Sequence, residues 1–386
     1  MNVVQIRELI PVCNNTIYVN SAWSGPSPMS VVGAIKSRLD VEMDLGPTTP
    51  EVQQSGRMIA TNAREQIAKL LNTTVEEICL TRNTTEGLNI VMNGLVWHPG
   101  DEIITFDIEH SSVLVPCFYQ QQRHGAVVKV VPLSTNATWD RITSDIEAAI
   151  TERTRLIFFS HIQWSSGLRM PIQDIRKITK DRNILLLLDG AQTAGQISLD
   201  MNELDCDFYS IPGQKWLLGP EGTGALYIRK DLIQKIEPTH VANKAILPVT
   251  DFTQFKENET TMEKFLLTST SAALQAGMLE AINFVQKVGV QEIEQRNLSL
   301  ASTLKQSLKE IPGVHILSPT ENHSSSGLVS FTIDNVEPAA AVSYFWDRHK
   351  IVARQISYPP CIRVSLHFFN TEEEVRNVTK AILELV

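Results

Sequence analysis

The chain has few cysteines and no concentration of positive charge. Its five cysteines are scattered without a CxxC pair, which disfavours a zinc site or a disulfide framework. The net charge is −9, from 34 basic and 43 acidic side chains, and without a basic cluster we expect no nucleic-acid or anionic-membrane surface. The densest apolar run, residues 184–188, is far shorter than the roughly 20 residues of a membrane helix. Residues 1–13 lack a signal-peptide pattern, so we expect a cytoplasmic protein.

The middle of the chain alternates short apolar runs with amphipathic stretches. The pattern predicts strands at 103–106, 127–131, 156–160, 184–189, 208–211 and 225–228, and helices at 112–123, 143–149 and 172–179. Buried strands separated by helices indicate an α/β fold, with a mostly parallel sheet flanked by helices. Ligands of such sheets bind at the carboxyl ends of the strands.

Beyond about residue 250 the pattern changes to an α+β type. It predicts long helices at 270–288 and 290–309, strands at 328–333 and 362–367, and a closing helix at 372–385. A chain of 386 residues suits about two domains. We therefore expect a large domain (21–250), a small C-terminal domain (251–386), and an N-terminal segment (1–20) near the functional site or the small domain.

Two residues stand out beside the predicted strands. Asp189 directly follows the apolar run 184–188, where a carboxylate is costly unless it is paired or well hydrogen-bonded. Lys215 lies between a strand and a glycine-rich turn, next to Trp216. A desolvated lysine has a lowered pKa and can act as an amine nucleophile. When each residue is considered alone, a helix cap or turn is an ordinary interpretation of Asp189. A surface position is the simpler interpretation of Lys215.

Other polar residues follow the same strands. Thr84 is placed as the N-cap of a predicted helix, next to Thr85, and a helix N-terminus with hydroxyls is a ready anion site. His110 and His161 each follow a strand. A cap and structural histidines are the simpler interpretations of these residues when each is considered alone.

In this order, the motifs resemble the class V aminotransferase family, which comprises fold-type I pyridoxal-phosphate (PLP) enzymes. The similarity runs from about Tyr18 to about Asn370, and it looks closest to the cysteine/cystine C–S lyases and isopenicillin-epimerase-like members, with cysteine desulfurases as relatives. It is carried by GQKW (213–216), GPEGTG (219–224), HIQW (161–164) and PPCIRVSLHFFNT (359–371).

The resemblance implies a role for each candidate cofactor residue. Lys215 would carry the cofactor as a Schiff base and shuttle the α-proton of the substrate, and Asp189 would pair with the pyridinium nitrogen, which makes the ring an electron sink. His110 would stack on the ring and act as an acid or base, and Gln192 would bond its phenolic oxygen. The remaining cofactor ligands would hold the phosphate: Thr84, Thr85, Ser210, Gln214 and, from the partner subunit of a homodimer with shared active sites, Ser269 next to Thr268.

The resemblance also implies an amino-acid substrate. Arg354 and Arg363 match the arginines that bind its α-carboxylate through a bidentate contact, and Trp23 would line the entrance. A surface ion pair is the alternative interpretation for each arginine.

Three features depart from the desulfurase pattern. Gln214 and Pro212 replace the usual His and hydroxyl residue beside the lysine, so Ser210 or Gln214 must supply phosphate contacts, since Pro212 has no N–H. Trp164 replaces an asparagine. The link between the two arginines is short, and its only thiol, Cys361, lies on a predicted strand instead of the loop that carries a desulfurase nucleophile.

These departures favour β-elimination from a cysteine- or cystine-type substrate, giving pyruvate, ammonia and sulfide or persulfide. A desulfurase or selenocysteine lyase that uses Cys361 and gives alanine remains an alternative, as does an aminotransferase or epimerase acting on another amino acid. An inactive scaffold with the fold of a PLP enzyme is the alternative from a different functional class. The presence of both Lys215 and Asp189 argues against it.

Overall fold

The computed structural model of the chain describes residues 1–248 and 255–386. Its strands, in chain order, are β1 (Ile17–Tyr18), β2 (Ile78–Thr81), β3 (Glu102–Phe106), β4 (Val127–Val131), β5 (Thr154–Ser160), β6 (Leu185–Asp189), β7 (Phe208–Pro212), β8 (Gly224–Ile228), β9 (Val314–Ile316), β10 (Leu328–Ile333), β11 (Ile351–Val352), β12 (Arg354–Ser357) and β13 (Pro360–Ser365). Its α-helices are α1 (Val3–Glu8), α2 (Met29–Leu45), α3 (Pro50–Leu70), α4 (Thr84–Gly94), α5 (Ser111–His124), α6 (Trp139–Ala149), α7 (Ile172–Lys180), α8 (Met201–Leu204), α9 (Ala272–Val288), α10 (Val290–Lys309), α11 (Pro338–His349) and α12 (Glu372–Leu383).

A seven-stranded sheet forms the centre of the large domain, in the order β2-β8-β7-β6-β5-β3-β4. Only β8 runs antiparallel to its neighbours, so the predicted α/β fold with a mostly parallel sheet is confirmed. Helices cover both faces, and β7 and most of β5 and β6 are buried. This double coverage explains why these strands read as continuous apolar runs and not as an alternation.

The carboxyl ends of the central strands meet at one edge of the sheet. Ser160 at the end of β5 pairs in register with Asp189 at the end of β6, which pairs with Ser210 on β7. Residues that follow these strands are therefore brought together, as the general rule for open α/β sheets requires.

The small domain is built on an antiparallel sheet of order β12-β13-β10-β9. Its core includes side chains of α10, α11 and α12 packed with the strands. This arrangement confirms the predicted α+β C-terminal domain. The pairing of β12 with β13 brings Arg354 directly opposite Arg363.

The domain limits depend on how the ends of the chain pack. The predicted boundary at residue 250 lies outside the described residues. Helix α9, which the prediction placed in the small domain, packs against α2 and α3, and its buried side chains join the large-domain core. Strand β1 pairs with β11, whereas Ile10 and Cys13 belong to the large-domain core, so the N-terminal segment contacts both domains. None of the helices in the described residues is long and apolar enough to cross a membrane.

Candidate active site

A cavity of about 210 Å³ opens at the carboxyl ends of β5 and β6. Its wall includes Trp23 from the segment between β1 and α2, residues at the strand ends of the large domain, and Arg354 of the small domain. Most of the residues singled out from the sequence line it, namely Trp23, Thr84, Thr85, His110, Asp189, Gln192, Gln214, Lys215 and Arg354. Chain segments more than 300 positions apart thus supply one site.

Lys215 lies on the loop between β7 and β8 (residues 213–223), which we call the lysine turn. The turn is closed by two backbone hydrogen bonds of 2.8 Å, from Gly213 N to Thr223 O and from Gly219 N to Gly213 O. Burial lowers the pKa of Lys215 to about 8, and the nearby Asp189 carboxylate opposes this change. The amine is therefore neutral more readily than an ordinary lysine, as a nucleophile or base must be.

The segment between β1 and α2 closes over the lysine turn. Gly25 N donates to Gln214 O at 2.6 Å. A Cβ on Gly25 would lie 2.2 Å from Lys215 O, closer than atoms can approach. Only glycine therefore lets this segment lie against the backbone of Lys215.

Asp189 ends β6 with its side chain at the cavity wall. Its Oδ1 accepts from Ala191 N at 2.7 Å. Burial raises the pKa of Asp189, whereas Lys215 acts in the opposite direction. A buried carboxylate with little hydrogen bonding is stabilised by a cation, so the position suits a positively charged ring nitrogen.

Gln192 is held by its neighbours on both sides of its amide. Its Oε1 accepts from Trp216 Nε1 at 2.8 Å, and its Nε2 donates to Ala22 O at 3.0 Å. An amide nitrogen carries two hydrogens. The second N–H of Gln192 therefore remains for a ligand oxygen in the cavity.

His110 caps α5 at the opposite wall of the cavity. Its Nδ1 accepts from Ser112 N at 3.1 Å, which leaves the proton of the neutral ring on Nε2. Burial lowers the pKa of His110 to about 4, with further lowering by Lys215 and the two arginines. The Trp164 ring packs edge-on against the histidine, with centroids 5.5 Å apart.

An anion site lies at the N-terminus of α4. Asn83, not Thr84 as the sequence suggested, caps the helix, since its side chain accepts from Glu86 N at 2.9 Å. Thr84 Oγ1 is buried without a hydrogen-bond partner in the described residues, as is Gln214 Oε1. Thr85 Oγ1 lies 2.8 Å from Ser112 Oγ. Hydroxyls at a helix N-terminus favour phosphate or carboxylate.

Arg363 approaches the site from β13 with only 1% of its surface exposed. Its Nη1 donates to Trp164 O at 2.6 Å, whereas Nε and Nη2 have no partner within the described part of the chain. These two nitrogens form the side edge of the guanidinium, which matches a carboxylate in a bidentate contact. Burial lowers the pKa of Arg363 to about 9, with a further contribution from Arg354.

Arg354 and Trp23 form the outer part of the cavity. The Arg354 guanidinium carbon lies 4.1 Å from the centre of the Trp23 ring, a cation–π contact. Trp23 is 56% exposed and lines the cavity, and its role at a substrate entrance stays a prediction.

Comparison with known proteins adds to this geometry. The model of the family "Aminotransferase class-V" matches residues 17–378. The chain belongs to the class V aminotransferase family. Relatives that match nearly end to end include a probable cysteine desulfurase of Methanothermobacter thermautotrophicus, 27% identical over 100% of this chain and 98% of its own length, and the isopenicillin N epimerase of Amycolatopsis lactamdurans, 28% identical over 98% and 97%.

The solved structures similar to this class V aminotransferase include the cystine C–S lyase C-DES bound to its reaction product cysteine persulfide. That chain is 29% identical, with a TM-score of 0.91, and the match covers 97% of this chain and 99% of the other. A cysteine desulfurase of Thermococcus onnurineus is 25% identical with a TM-score of 0.92, over 100% and 98% of the two chains. The family and the fold inferred from the sequence motifs are confirmed.

The residues of this class V aminotransferase fit pyridoxal phosphate. Thr84, Thr85 and Gln214 are placed to hold a phosphate, and Thr84 and Gln214 have buried polar atoms that lack partners. At the other end of the cavity, Asp189 and Lys215 supply the carboxylate and the amine that a pyridinium ring and an aldehyde need.

Three predicted site residues do not line the cavity, namely Arg363, Ser210 and Ser269, and His161 does not line it either. Ser210 is fully buried below α4, and its hydroxyl donates to Thr84 O at 2.9 Å. It therefore supports the helix N-terminus in this structure, and direct phosphate binding by Ser210 stays a prediction. Ser269 is exposed and does not line the cavity, so its role in a partner's site stays a prediction. His161 lines a separate cavity of about 380 Å³, with its Nδ1 2.8 Å from Tyr209 OH.

Two site residues were not recognised from the sequence. Ser112 lines the cavity and contacts both His110 and Thr85. Glu109 is buried beside them, where its carboxyl group accepts from Ser160 N at 3.0 Å, from the Ser160 hydroxyl and from Gln163 Nε2. Burial raises the pKa of Glu109 to about 7. Among the described residues, Glu109 has no cationic partner, and its burial results from tertiary packing. In the sequence, only its position before His110 points to it.

Proposed function

We propose that this class V aminotransferase cleaves the C–S bond of cysteine- or cystine-type amino acids by β-elimination. The products are pyruvate and ammonia with sulfide from cysteine, or with cysteine persulfide from cystine. The names of the relatives and of C-DES support C–S chemistry. The absence of a cysteine from the wall of the cavity, within the described residues, favours elimination over desulfuration.

Cys361 is the cysteine closest in sequence to a candidate substrate residue, but it is poorly suited as a nucleophile. It is fully buried on β13, two positions before Arg363. Burial raises the pKa of the Cys361 thiol to about 11. Since the thiolate is the reactive form, a buried thiol with this pKa does not attack a substrate sulfur. A desulfurase that gives alanine needs such an attack.

The residues of the site can perform the proton transfers of an elimination. Lys215 Nζ takes the α-proton of the substrate, since its lowered pKa provides a neutral amine near physiological pH. When bound, pyridoxal phosphate supplies an electron sink for the carbanion. His110 carries its proton on Nε2, because Nδ1 accepts from Ser112 N, and this N–H can donate a hydrogen bond to the leaving sulfur.

The substrate is oriented by the two arginines. The side edge of Arg363, with Nε and Nη2 unpaired, receives the α-carboxylate. Arg354, held over Trp23, stands farther out and attracts the carboxylate of the substrate into the cavity. The positive charge of Arg354 also favours cystine, because cystine carries a second carboxylate.

The test is to incubate the holoenzyme separately with L-cysteine and L-cystine, and to quantify pyruvate, alanine and sulfide. Pyruvate as the main organic product, unchanged in a Cys361→Ala variant, is the expected result. Alanine as the main product, lost in Cys361→Ala, would establish desulfuration instead. No product from either substrate would direct the search to transamination or epimerisation of other amino acids.

We also propose a homodimer with shared active sites in the cytoplasm. Helix α5 presents exposed apolar side chains, Val115, Phe118 and Tyr119, close to the anion site, and Ser269 is exposed for contact with a partner. The five unpaired cysteines are consistent with a reducing compartment. Light scattering gives the mass, and cell fractionation gives the location. Mixing Lys215→Ala with Ser269→Ala protomers should restore cofactor-phosphate contacts at one site per mixed dimer if sites are shared.

A further inference from the structure

Four consecutive carbonyl groups after β5 accept hydrogen bonds from side chains of the small domain. We call residues 164–167 the tryptophan loop. The bonds run from Arg363 Nη1 to Trp164 O (2.6 Å), from Ser330 Oγ to Ser165 O (2.5 Å), from Ser318 Oγ to Ser166 O (2.6 Å) and from Ser326 Oγ to Gly167 O (2.8 Å). One donor in this series is the candidate carboxylate-binding arginine itself.

The donors are fixed relative to one another inside the small domain. Ser330 on β10 lies directly opposite Arg363 on β13. Ser318 Oγ accepts from Ser330 N at 2.8 Å while it donates to the tryptophan loop. A displacement of the loop is therefore transmitted to Arg363 through two serines and one strand pair.

Lys305 of α10 anchors the segment that carries Ser318 and Ser326. Its Nζ donates to Pro319 O at 2.6 Å and to Ser325 Oγ at 3.0 Å. Lys305 is buried and forms no ion pair with a carboxylate in the described residues. These two hydrogen bonds from a buried amine hold the segment of Ser318 and Ser326 in place.

The tryptophan loop also contacts the small domain too closely for larger side chains. Gly167 has φ +75°, and a Cβ there would lie 2.7 Å from Leu328 Cβ and from Ser326 Oγ. Trp164 Nε1 donates to Ile108 O at 2.9 Å, which ties the other end of the loop to the segment before His110. The loop is thus clamped between the two domains.

We propose that Ser330, supported by Ser318, is a positioning residue for Arg363. Its bond to Ser165 O fixes the tryptophan loop, so that Trp164 O holds Nη1 and the Nε/Nη2 edge faces the substrate carboxylate. The inference rests on the carboxylate-binding part of the proposed function, and it holds for any amino-acid substrate. It assigns a role in recognition to a buried serine that does not line the cavity.

Three matched variants test this role, because each removes one hydroxyl that donates to the same loop. Ser330→Ala acts one peptide from Trp164 O, Ser318→Ala two and Ser326→Ala three. In the holoenzyme, the dissociation constant for L-alanine, which has no leaving group on Cβ, is measured by the change in cofactor absorbance. Ethylamine, which has the amine but no carboxylate, is the comparison ligand, and thermal unfolding midpoints record the structural cost.

We expect Ser330→Ala to weaken L-alanine binding about tenfold, with ethylamine affinity unchanged within about twofold. Ser318→Ala should give a smaller change and Ser326→Ala almost none, although all three lower the unfolding midpoint to similar extents. Ser330→Thr, which keeps the hydroxyl, should restore L-alanine affinity. If Ser330→Ala does not fold, Ser318→Ala carries the same comparison.

Equal weakening of both ligands, or equal loss in all three variants, would show a structural role only and overturn the proposal. Arg363→Lys separates this failure from that of the proposed function. If Arg363→Lys leaves L-alanine affinity unchanged, then Arg363 does not bind the carboxylate. If Arg363→Lys weakens L-alanine binding but Ser330→Ala does not, only the positioning role is wrong.

Discussion

Arg354 and Arg363 lie directly opposite one another on neighbouring antiparallel strands, and neither forms an ion pair with a carboxylate in the described residues. Like charges opposite one another destabilise a strand pair. Burial and the nearby positive charge of Arg354 lower the pKa of Arg363 to about 9. A bound carboxylate would relieve this repulsion, which supports the proposal that the pair binds the α-carboxylate of the substrate.

The first prediction concerns the guanidinium edge of Arg363. Arg363→Lys keeps a positive charge but loses the two-nitrogen edge. We expect KM for the amino-acid substrate to increase about 10- to 100-fold, since a charged hydrogen bond contributes about 1.5–3 kcal/mol. Steady-state kinetics with L-cysteine or L-cystine measures the change. Arg348→Lys, an exposed arginine of α11, is the control, and an equal effect there would contradict the assignment.

The sheet and most of its helices were predictable because their side chains are sorted by burial. The run 184–188 and its neighbours are apolar on both faces, as buried parallel strands must be, and the predicted limits fall within a few residues of β3 to β8. Helices α2 and α3 were not identified. Helix α2 has exposed apolar residues along much of its length, so it lacks the clear apolar stripe that marks a surface helix.

The site was predictable where residues follow strands and unpredictable where the contact depends on tertiary packing. Lys215, Asp189 and His110 lie at strand ends, which one edge of the sheet brings together. The burial of Ser210 below α4 could not be inferred, because a small polar residue on a strand gives no signal of its depth. The serines that hold the tryptophan loop come from a separate domain, and only their concentration between positions 318 and 330 marks them.

A second prediction compares two buried lysines. Burial lowers the pKa of both Lys215 and Lys305 to about 8, but only Lys215 lines the cavity. Lys215→Ala should abolish the covalent chromophore and lower turnover more than about a hundredfold. Lys305→Met should keep the chromophore but lose about 1–3 kcal/mol of stability, since Pro319 O loses its donor. Absorbance spectra and urea unfolding distinguish the two, and a chromophore that survives in Lys215→Ala would refute the central assignment.

A third prediction follows from the buried carboxyl group of Glu109. Its folded-state pKa of about 7 lies above the unfolded value of 4.5, so the folded state binds the extra proton between these values. The contribution of Glu109 to stability is therefore fully present below pH 4.5 and is lost as the pH rises through 7. We expect the stability of the natural protein, relative to Glu109→Gln, to decrease by about 2–4 kcal/mol across this window.

Urea unfolding of both proteins at several pH values between 4.5 and 8 measures this difference. Glu373→Gln removes an exposed carboxylate at the start of α12 and corrects for the general effect of one charge. A difference between the natural protein and Glu109→Gln that does not change with pH would show that Glu109 is ionised at the same pH in both states.

The last prediction compares two glycines, Gly25 before α2 and Gly33 inside it. Gly25→Ala would place a Cβ 2.2 Å from Lys215 O, whereas nothing lies within 4 Å of a Cβ on Gly33 in α2. The first substitution must displace the backbone that carries the cofactor lysine, and overpacking of this kind costs about 1–3 kcal/mol. The second should stabilise the protein by about 0.5–1 kcal/mol, because alanine favours a helix more than glycine does. The unfolding midpoint should therefore decrease in Gly25→Ala and increase in Gly33→Ala, and only Gly25→Ala should lose cofactor. If Gly25→Ala binds the cofactor as fully as Gly33→Ala, then the segment between β1 and α2 does not hold the lysine turn in place.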